Sequence, residues 1–391
     1  MSIESNFNQE AKLVTVLSKQ RPDLTSAETL SQQLDYGKFL QLSYAHRVLP
    51  LVFHHIESNS NIQIRFPSEI VEIGRIVSQS QKLRTNSLLK HAKNLFSELS
   101  NSGQRFMLFR GLLLATTVYQ EPHWRNFEDI DLLVEEKGIE PIDRVLKDLG
   151  YVQGNFDPRT NSISPYSKQE LEFWKQDRQH LGSYLLPTND PFTAAVKIDV
   201  HFKLTNRHDS FEIYSRDLLP FSRQETVLGS PVEAIDITDL LIMLCVHVHS
   251  HSKWLYEIRD HNDLHLSRFT DIFEVVNKYR SEINWDLVVN RANKLNINFP
   301  VALGLFWASK VYGQFFPEEV LNALKPDNFL QKEKEIILRD SPLENQVISH
   351  WQNDFLDRLF DLDRYTKVIK IVGNRYRLSR EDRTGLSTYH F

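Results

Sequence analysis

Asp129-Ile130-Asp131-Leu132-Leu133-Val134 is the stretch of the chain that decides its fold. Successive side chains of a β-strand point to opposite faces, so a strand here places the carboxylates of Asp129 and Asp131 on one face. The apolar residues around them predict that this strand is buried. Because a buried charge is costly without a compensating partner, we expect the two carboxylates to hold cations.

Two further segments supply groups that such a site would use. Phe109-Arg110-Gly111 ends a short apolar stretch with a glycine turn, and Lys197-Ile198-Asp199-Val200-His201 lies in a later predicted strand. Asp199 would bring a third carboxylate from a neighbouring strand. Mg²⁺ prefers oxygen ligands and bridges them to substrate phosphates. The ordered set therefore predicts metal-dependent nucleotidyl transfer, with Asp129, Asp131 and Asp199 as metal ligands.

The spacing of apolar residues divides the chain into three consecutive regions. Residues 1–100 and 231–391 show helical spacing, whereas residues 101–230 combine strands with helices. In the middle region we predict strands over 106–109, 129–134 and 195–204 and helices over 112–119, 139–149 and 168–180. The C-terminal region is predicted to be helical nearly to its end, including a helix over 344–371. We therefore expect a mixed α/β (α+β) core between two helical regions.

Composition limits the partners and the compartment. The chain carries 46 Lys and Arg against 51 Asp and Glu, so nucleic acid remains a candidate partner but is not favoured. The single cysteine, Cys245, lies in an apolar run, which predicts a buried thiol in a reducing compartment, the cytoplasm. The N-terminus lacks a basic start with an apolar core, and the apolar runs are too short for a bilayer. Neither export nor membrane insertion is expected.

Motifs of other nucleotide- and metal-binding classes do not occur in the sequence. His247 and His251 would share a helix face, as zinc-binding pairs do, but there is no His-Glu-x-x-His motif and no cysteine pair. Neither Gly-x-Gly-x-x-Gly nor a phosphate-binding Gly-Lys-Ser loop is present. A dinucleotide enzyme and a P-loop ATPase are therefore unsupported.

In their order along the chain, the motifs resemble those of the polymerase-β-like nucleotidyltransferases. More narrowly, they are similar to a bacterial family of largely uncharacterised nucleotidyltransferases. The motifs that carry this resemblance are Phe109-Arg110-Gly111, Tyr119, Arg125, Asp129 to Val134, Gly150-Tyr151, Ile198-Asp199-Val200-His201, Leu244-Cys245-Val246-His247, Trp254 and Arg259-Asp260. The resemblance covers most of the chain. It implies transfer of a nucleoside monophosphate from an NTP to a hydroxyl or phosphate acceptor, with Mg²⁺ or Mn²⁺ as cofactor.

The resemblance also implies roles for the residues of the core. Asp129 and Asp131 would bind both metal ions, and Asp199 would bind the catalytic ion and help to deprotonate the acceptor. Gly111 would admit the triphosphate at close range, and Arg110 would contribute positive charge.

Five further residues are candidates, and Arg125 and His201 each have a structural alternative. Arg125 could contact phosphate or pair with Glu128, just as Arg110 could form a structural ion pair. His201 could orient a ligand or the acceptor, or serve as a structural histidine. His247, Arg259 and Asp260 in the helical tail are candidates for substrate binding.

Two departures from the family pattern keep a second class of function open. Leu112 stands where the superfamily usually has Ser or Gly, and Arg110 stands where the narrower family commonly has Lys. The same fold could therefore be a noncatalytic binding or accessory protein. A toxin-like transferase acting on RNA or protein would share the chemistry and differ in its acceptor. The sequence does not choose among small-molecule, peptide and protein acceptors, and it leaves the oligomeric state open.

Overall fold

The computed structural model describes residues 6–177, 180–205, 211–338 and 346–372. The helices are α1 (Gln9–Leu17), α2 (Leu24–Leu30), α3 (Tyr36–Ala45), α4 (Leu49–Ser58), α5 (Ser60–Gln63), α6 (Ser68–Asn101), α7 (Leu112–Thr117), α8 (Ile139–Asp148), α9 (Lys168–Asp177), α10 (Ser215–Leu218), α11 (Ile237–Ser252), α12 (Leu255–Arg259), α13 (Leu266–Lys278), α14 (Trp285–Lys294), α15 (Asn298–Tyr312), α16 (Glu318–Leu324), α17 (Phe329–Glu333), α18 (Phe355–Leu359) and α19 (Arg364–Val372). The strands are β1 (Met107–Leu108), β2 (Ile130–Leu133), β3 (Val152–Asp157), β4 (Ser162–Pro165), β5 (Tyr184–Asp190), β6 (Thr193–His201), β7 (Arg223–Val227), β8 (Ser230–Ala234), β9 (Glu335–Leu338) and β10 (Gln346–His350).

The chain forms two compact units. The helical unit consists of the described residues within 1–81, 118–126 and 237–375, and the sheet unit consists of those within 82–117 and 127–236. The three consecutive regions proposed from the sequence concern order along the chain, and their boundaries stay predictions.

The described residues of the sheet unit form one eight-stranded mixed sheet in the order β4-β3-β5-β6-β2-β1-β8-β7. Strand β2 is parallel to β6 and antiparallel to β1, and β1 is in turn parallel to β8. The mixed α/β fold class expected from the sequence is confirmed. Strand β2, which carries Asp131 and directly follows Asp129, thus lies in the interior of the sheet, next to the strand that carries Asp199.

The sheet extends beyond the three strands that the sequence predicted. The segment 157–191, predicted to carry one helix, also contributes β4 and β5, and β7 pairs with β8 ahead of the helical tail. The β7–β8 turn has φ of +56° at Leu228 and +80° at Gly229. Positive φ at both central residues is the geometry that suits a two-residue hairpin, but Asn or Asp usually precedes the glycine. Because Leu228 occupies that position, the sequence did not indicate the hairpin.

The segment predicted as a helix over 344–371 is not one continuous helix, because its first described part is a strand. Residues 346–350 form β10, which pairs antiparallel with β9, and helices α18 and α19 follow. Val347 and Ile348 are β-branched residues that favour a strand when a partner is available. That partner precedes them by about ten residues, so a helical periodicity count could not reveal it.

Helix α11 is the central helix of the helical unit. Nearly all of its side chains are buried, which is the pattern of a helix surrounded by protein on all sides. Cys245 on this helix is a free, buried thiol, as the sequence predicted. Helix α15 packs against it so closely that a Cβ at Gly304 would lie 2.6 Å from Cys245 Cα. Within the described residues, no helix is both long and apolar enough to cross a membrane.

We expect Gly304→Ala to lower the free energy of unfolding, because the added methyl group meets backbone that cannot rotate away. Overpacking of this kind costs about 1–3 kcal/mol, which exceeds the roughly 1 kcal/mol gained in helix propensity. Urea denaturation of the purified variant measures the difference. A Gly304→Ala protein as stable as the wild type would contradict the packing argument.

Candidate active site

The pairing register of two parallel strands brings the carboxylates together. Asp131 on β2 stands directly beside Asp199 on β6, and Leu133 stands beside His201. Because side chains alternate along β6, Lys197 shares the face of Asp199 and His201. The intervening residues of both strands are fully buried on the opposite face, which fixes this register.

Arg110 forms a two-pronged ion pair with Asp131, called the fork below. Its Nε donates to Asp131 Oδ2 at 2.9 Å, and its Nη2 donates to Oδ1 at 2.8 Å. Gly111 follows with φ of +50°, in the left-handed region, and a Cβ there would lie 3.4 Å from Asp131 Oδ2. A two-pronged contact of this kind is the strong form of an Arg–carboxylate pair. The ion pair considered for Arg110 is therefore present, and its contact with phosphate stays a prediction.

His201 binds the same carboxylate from the other side. Its Nε2 donates to Asp131 Oδ1 at 2.9 Å, and its ring meets the edge of Phe109 with centroids 5.1 Å apart. His201 is fully buried, and its Nδ1 has no hydrogen-bond partner among the described residues. The histidine thus presents Nε2 to Asp131.

Lys197 bridges the two remaining carboxylates. Its Nζ lies 3.0 Å from Asp199 Oδ2 and 3.3 Å from Asp129 Oδ2. Asp199 is only 4% exposed, and its second oxygen, Oδ1, has no hydrogen-bond partner among the described residues. Asp199 therefore offers one oxygen to the lysine and one to another cation.

The cationic side chains keep the two buried carboxylates ionised. Burial alone would raise the pKa of Asp131, but the charge of Arg110 holds that pKa well below its usual range. Burial has the same effect on Asp199, yet the ammonium of Lys197 lowers its pKa overall. Burial and the nearby charge of Asp131 raise the pKa of Asp129. The pKa of Lys197 rises because attraction to Asp199 and Asp129 outweighs its burial.

Asp131, Asp199 and His201 form a buried group that fits a metal ion. Each offers one ligand atom, and the three atoms lie within 4.8 Å of one another. Two carboxylates and an imidazole are ordinary ligands of divalent cations. Asp199 Oδ1 is buried without a hydrogen-bond partner among the described residues, which suits an ion at this place. Asp129, the third metal ligand predicted from the sequence, pairs with Lys197 instead, and its role as a ligand stays a prediction.

Arg125 has a different partner from those considered in the sequence analysis. Its Nη2 donates to Asp271 Oδ2 at 3.0 Å, and Tyr119 donates through its hydroxyl to the other oxygen of Asp271 at 2.8 Å. All three residues belong to the helical unit. A phosphate contact by Arg125 stays a prediction.

The other candidates for substrate binding also belong to the helical unit. Arg259 forms a two-pronged pair with its neighbour Asp260, with distances of 2.7 and 2.9 Å. The ring of His247 lies 4.4 Å from that of His251, whose Nδ1 is 3.1 Å from Glu257 Oε2. Their roles toward a substrate stay predictions.

Two residues near the carboxylates were missed by sequence reasoning. Lys197 shares the face of Asp199 through simple alternation, and this signal was available in the sequence. His180 lies beside His201, with ring centroids 5.2 Å apart, and its ring also contacts Trp174 at 5.0 Å. Burial lowers the pKa of His180 to about 4. It reaches the site through an antiparallel bridge with His201, a long-range pairing without a local sequence signal.

Comparison with known proteins agrees with this geometry. A family model described as "Uncharacterised nucleotidyltransferase" matches residues 32–313, which include the glycine turn, β2 and β6. The chain belongs to this nucleotidyltransferase family. Comparisons with curated proteins and with solved structures gave no match. Family membership supports nucleotidyl transfer as the class of reaction but names no acceptor.

We expect the Arg110–Asp131 fork to show strong coupling in a double-mutant cycle of Arg110→Met and Asp131→Asn. Residues that share a buried hydrogen-bonded pair typically couple by about 0.5–3 kcal/mol, and we expect a value in the upper half of this range. Urea denaturation of the four proteins measures the coupling.

The exposed pair Arg159–Asp157 provides a matched control in the same unit. It has a similar fork with distances of 3.2 and 3.3 Å, but the arginine side chain is 79% exposed. Exposed pairs contribute at most about 1 kcal/mol. Additive effects of the two substitutions at Arg110 and Asp131 would show that the fork contributes no specific stabilisation.

Proposed function

We propose that this member of the family is a metal-dependent nucleotidyltransferase that moves a nucleoside monophosphate from an NTP to a hydroxyl or phosphate acceptor. The observation that carries the proposal is the register that sets Asp131 beside Asp199 on adjacent parallel strands, with His201 on the same face. A divalent ion on such a group, Mg²⁺ or Mn²⁺, supplies charge neutralisation at the phosphates and at the departing pyrophosphate.

The chain's own residues position the reactants. Gly111, in its left-handed conformation, removes the side chain that would stand between the turn and Asp131, so that phosphates can approach closely. Arg110 stands next to this turn and adds positive charge for them. The acceptor oxygen forms a bond to the α-phosphorus as the bond to pyrophosphate breaks, and the proton of a hydroxyl acceptor passes to Asp199.

We propose a small molecule, a peptide or a protein as the acceptor. The net charge of −5 gives the whole chain no attraction to a polyanion, so nucleic acid is the less favoured acceptor. The single buried cysteine supports a cytoplasmic location as part of the same proposal.

One observation favours a second candidate function. Each of the three carboxylates already contacts a cationic side chain, because Arg110 holds Asp131 and Lys197 holds Asp129 and Asp199. A site neutralised in this way would suit a binding or accessory protein that keeps the fold without the reaction. Nucleotide binding and nucleotide transfer must therefore be measured separately.

We expect the protein to bind nucleotide in the presence of Mg²⁺ or Mn²⁺ and to transfer label from one of the four α-labelled NTPs to itself or to a component of a cell extract. Binding to the native state raises the melting temperature, so thermal unfolding with millimolar metal and NTP reports binding directly. Asp131→Asn and Asp199→Asn should each weaken binding roughly 100-fold or more, since even supporting residues of metal sites contribute 10–100-fold.

Asp148→Asn is the control, because Asp148 is an exposed carboxylate of the same unit. If Asp131→Asn bound metal and NTP as tightly as the wild type, the proposed site would be wrong. Metal-dependent binding without any transfer would select the accessory function. Label found in RNA would identify the toxin-like alternative.

A further inference from the structure

The site contains two places for positive charge that differ in their ligands. At the first, Asp131, Asp199 and His201 each offer one ligand atom, these atoms lie within 4.8 Å of one another, and the three side chains are 4%, 4% and 0% exposed. His201 Nε2 lies 2.9 Å from Asp131 Oδ1, and Asp199 Oδ1 is buried without a hydrogen-bond partner among the described residues. A buried polar atom without a partner is unfavourable, so this oxygen is suited to an ion that Asp131 and His201 share.

The second place is filled by the protein itself. Lys197 Nζ lies within 3.3 Å of Asp129 and within 3.0 Å of Asp199, between the two carboxylates. A cation that joins two carboxylates in this way does electrostatically what a bridging metal ion would do.

The balance of charge favours one metal ion rather than two. The three carboxylates exceed the two cationic side chains, Arg110 and Lys197, by one negative charge. One bound divalent ion would change the net charge of this group from one negative to one positive. A second divalent ion between Asp129 and Asp199 would have to displace the ammonium of Lys197 or lie in contact with it. Like charges in contact repel strongly in a buried site.

We propose that the site binds a single divalent transition-metal ion through Asp131, Asp199 and His201, and that Lys197 takes the place of a second metal ion between Asp129 and Asp199. An imidazole ligand favours first-row transition ions over Mg²⁺, which prefers oxygen ligands and retains its waters, and among these ions Mn²⁺ best suits the two carboxylates. Asp129 then acts by holding Lys197 and is not itself a metal ligand.

The inference rests on the proposed function only for what the ion does during transfer, because ion binding can be measured without nucleotide. Metal-free protein is titrated with Mn²⁺ and separately with Mg²⁺ by calorimetry. We expect one Mn²⁺ per chain and weaker binding of Mg²⁺. Pulsed EPR of the Mn²⁺ complex should show coupling to a coordinated imidazole nitrogen, which reports the ligand in the wild-type protein.

His201→Ala should weaken Mn²⁺ binding roughly 10–100-fold or more and abolish the nitrogen coupling. His91→Ala is the matched control, because His91 is a partly buried histidine on α6 in the same unit. An Mn²⁺ complex of the wild type without nitrogen coupling would overturn the assignment of His201, and so would a folded His201→Ala protein that binds Mn²⁺ as tightly as the wild type.

The role of Lys197 has its own test. Lys197→Met removes the ammonium and leaves Asp129 facing Asp199, so we expect the variant to bind two Mn²⁺ ions where the wild type binds one. Asp129→Asn should still bind one ion at close to the wild-type affinity. Two ions on the wild type, or loss of the ion in Asp129→Asn, would establish a conventional site of three carboxylates and overturn the proposal.

The outcomes for ion binding and for catalysis can be separated. One ion bound through His201 without nucleotide transfer would support this inference and count against the proposed function. Transfer activity in a protein that binds two ions would support the function and overturn the inference.

Discussion

The parallel pairing of β2 with β6 is the constraint on which the site depends. It sets Asp131 beside Asp199, and it puts His201 and Lys197 on the same face. A slip of one residue would turn the charged side chains toward the buried face. Ile130, Leu132, Ile198 and Val200 prevent that slip, because all of them are fully buried on the opposite face. Ordinary apolar packing on one face of the sheet therefore positions the chemistry on the other.

Charge compensation follows from this arrangement. Three carboxylates gathered in a largely buried place require positive charge nearby, and the chain supplies it from two directions. Arg110 lies in the turn after β1, and Lys197 lies on the strand that also carries Asp199. Each cation is held in position by its contacts to carboxylate oxygens. The site thus combines protein cations with a set of side chains suited to a metal ion, His201 and two of the aspartates.

The sequence predicted the strands that carry Asp131 and Asp199, and it predicted the fold class, because both depend on local alternation and burial. The order of the motifs also predicted the family. Several strand pairings were missed, and these include the hairpin of β3 and β4, the bridge that brings His180 to His201, and the strand β10. In each case the residues are compatible with more than one local structure, and a partner outside the segment decides. The ion pair of Arg125 with Asp271 was missed for the same reason.

Strand β1 contributes only Met107 and Leu108, yet it lies inside the sheet between β2 and β8. The β7–β8 hairpin is therefore joined to the other strands through two paired positions, whereas β5 and β6 pair at five. Separation at β1 breaks fewer hydrogen bonds than separation at any longer strand junction, so it costs less free energy. These paired positions end two residues before Arg110. The segment that carries the arginine to Asp131 is thus held in the sheet by two paired positions on each side.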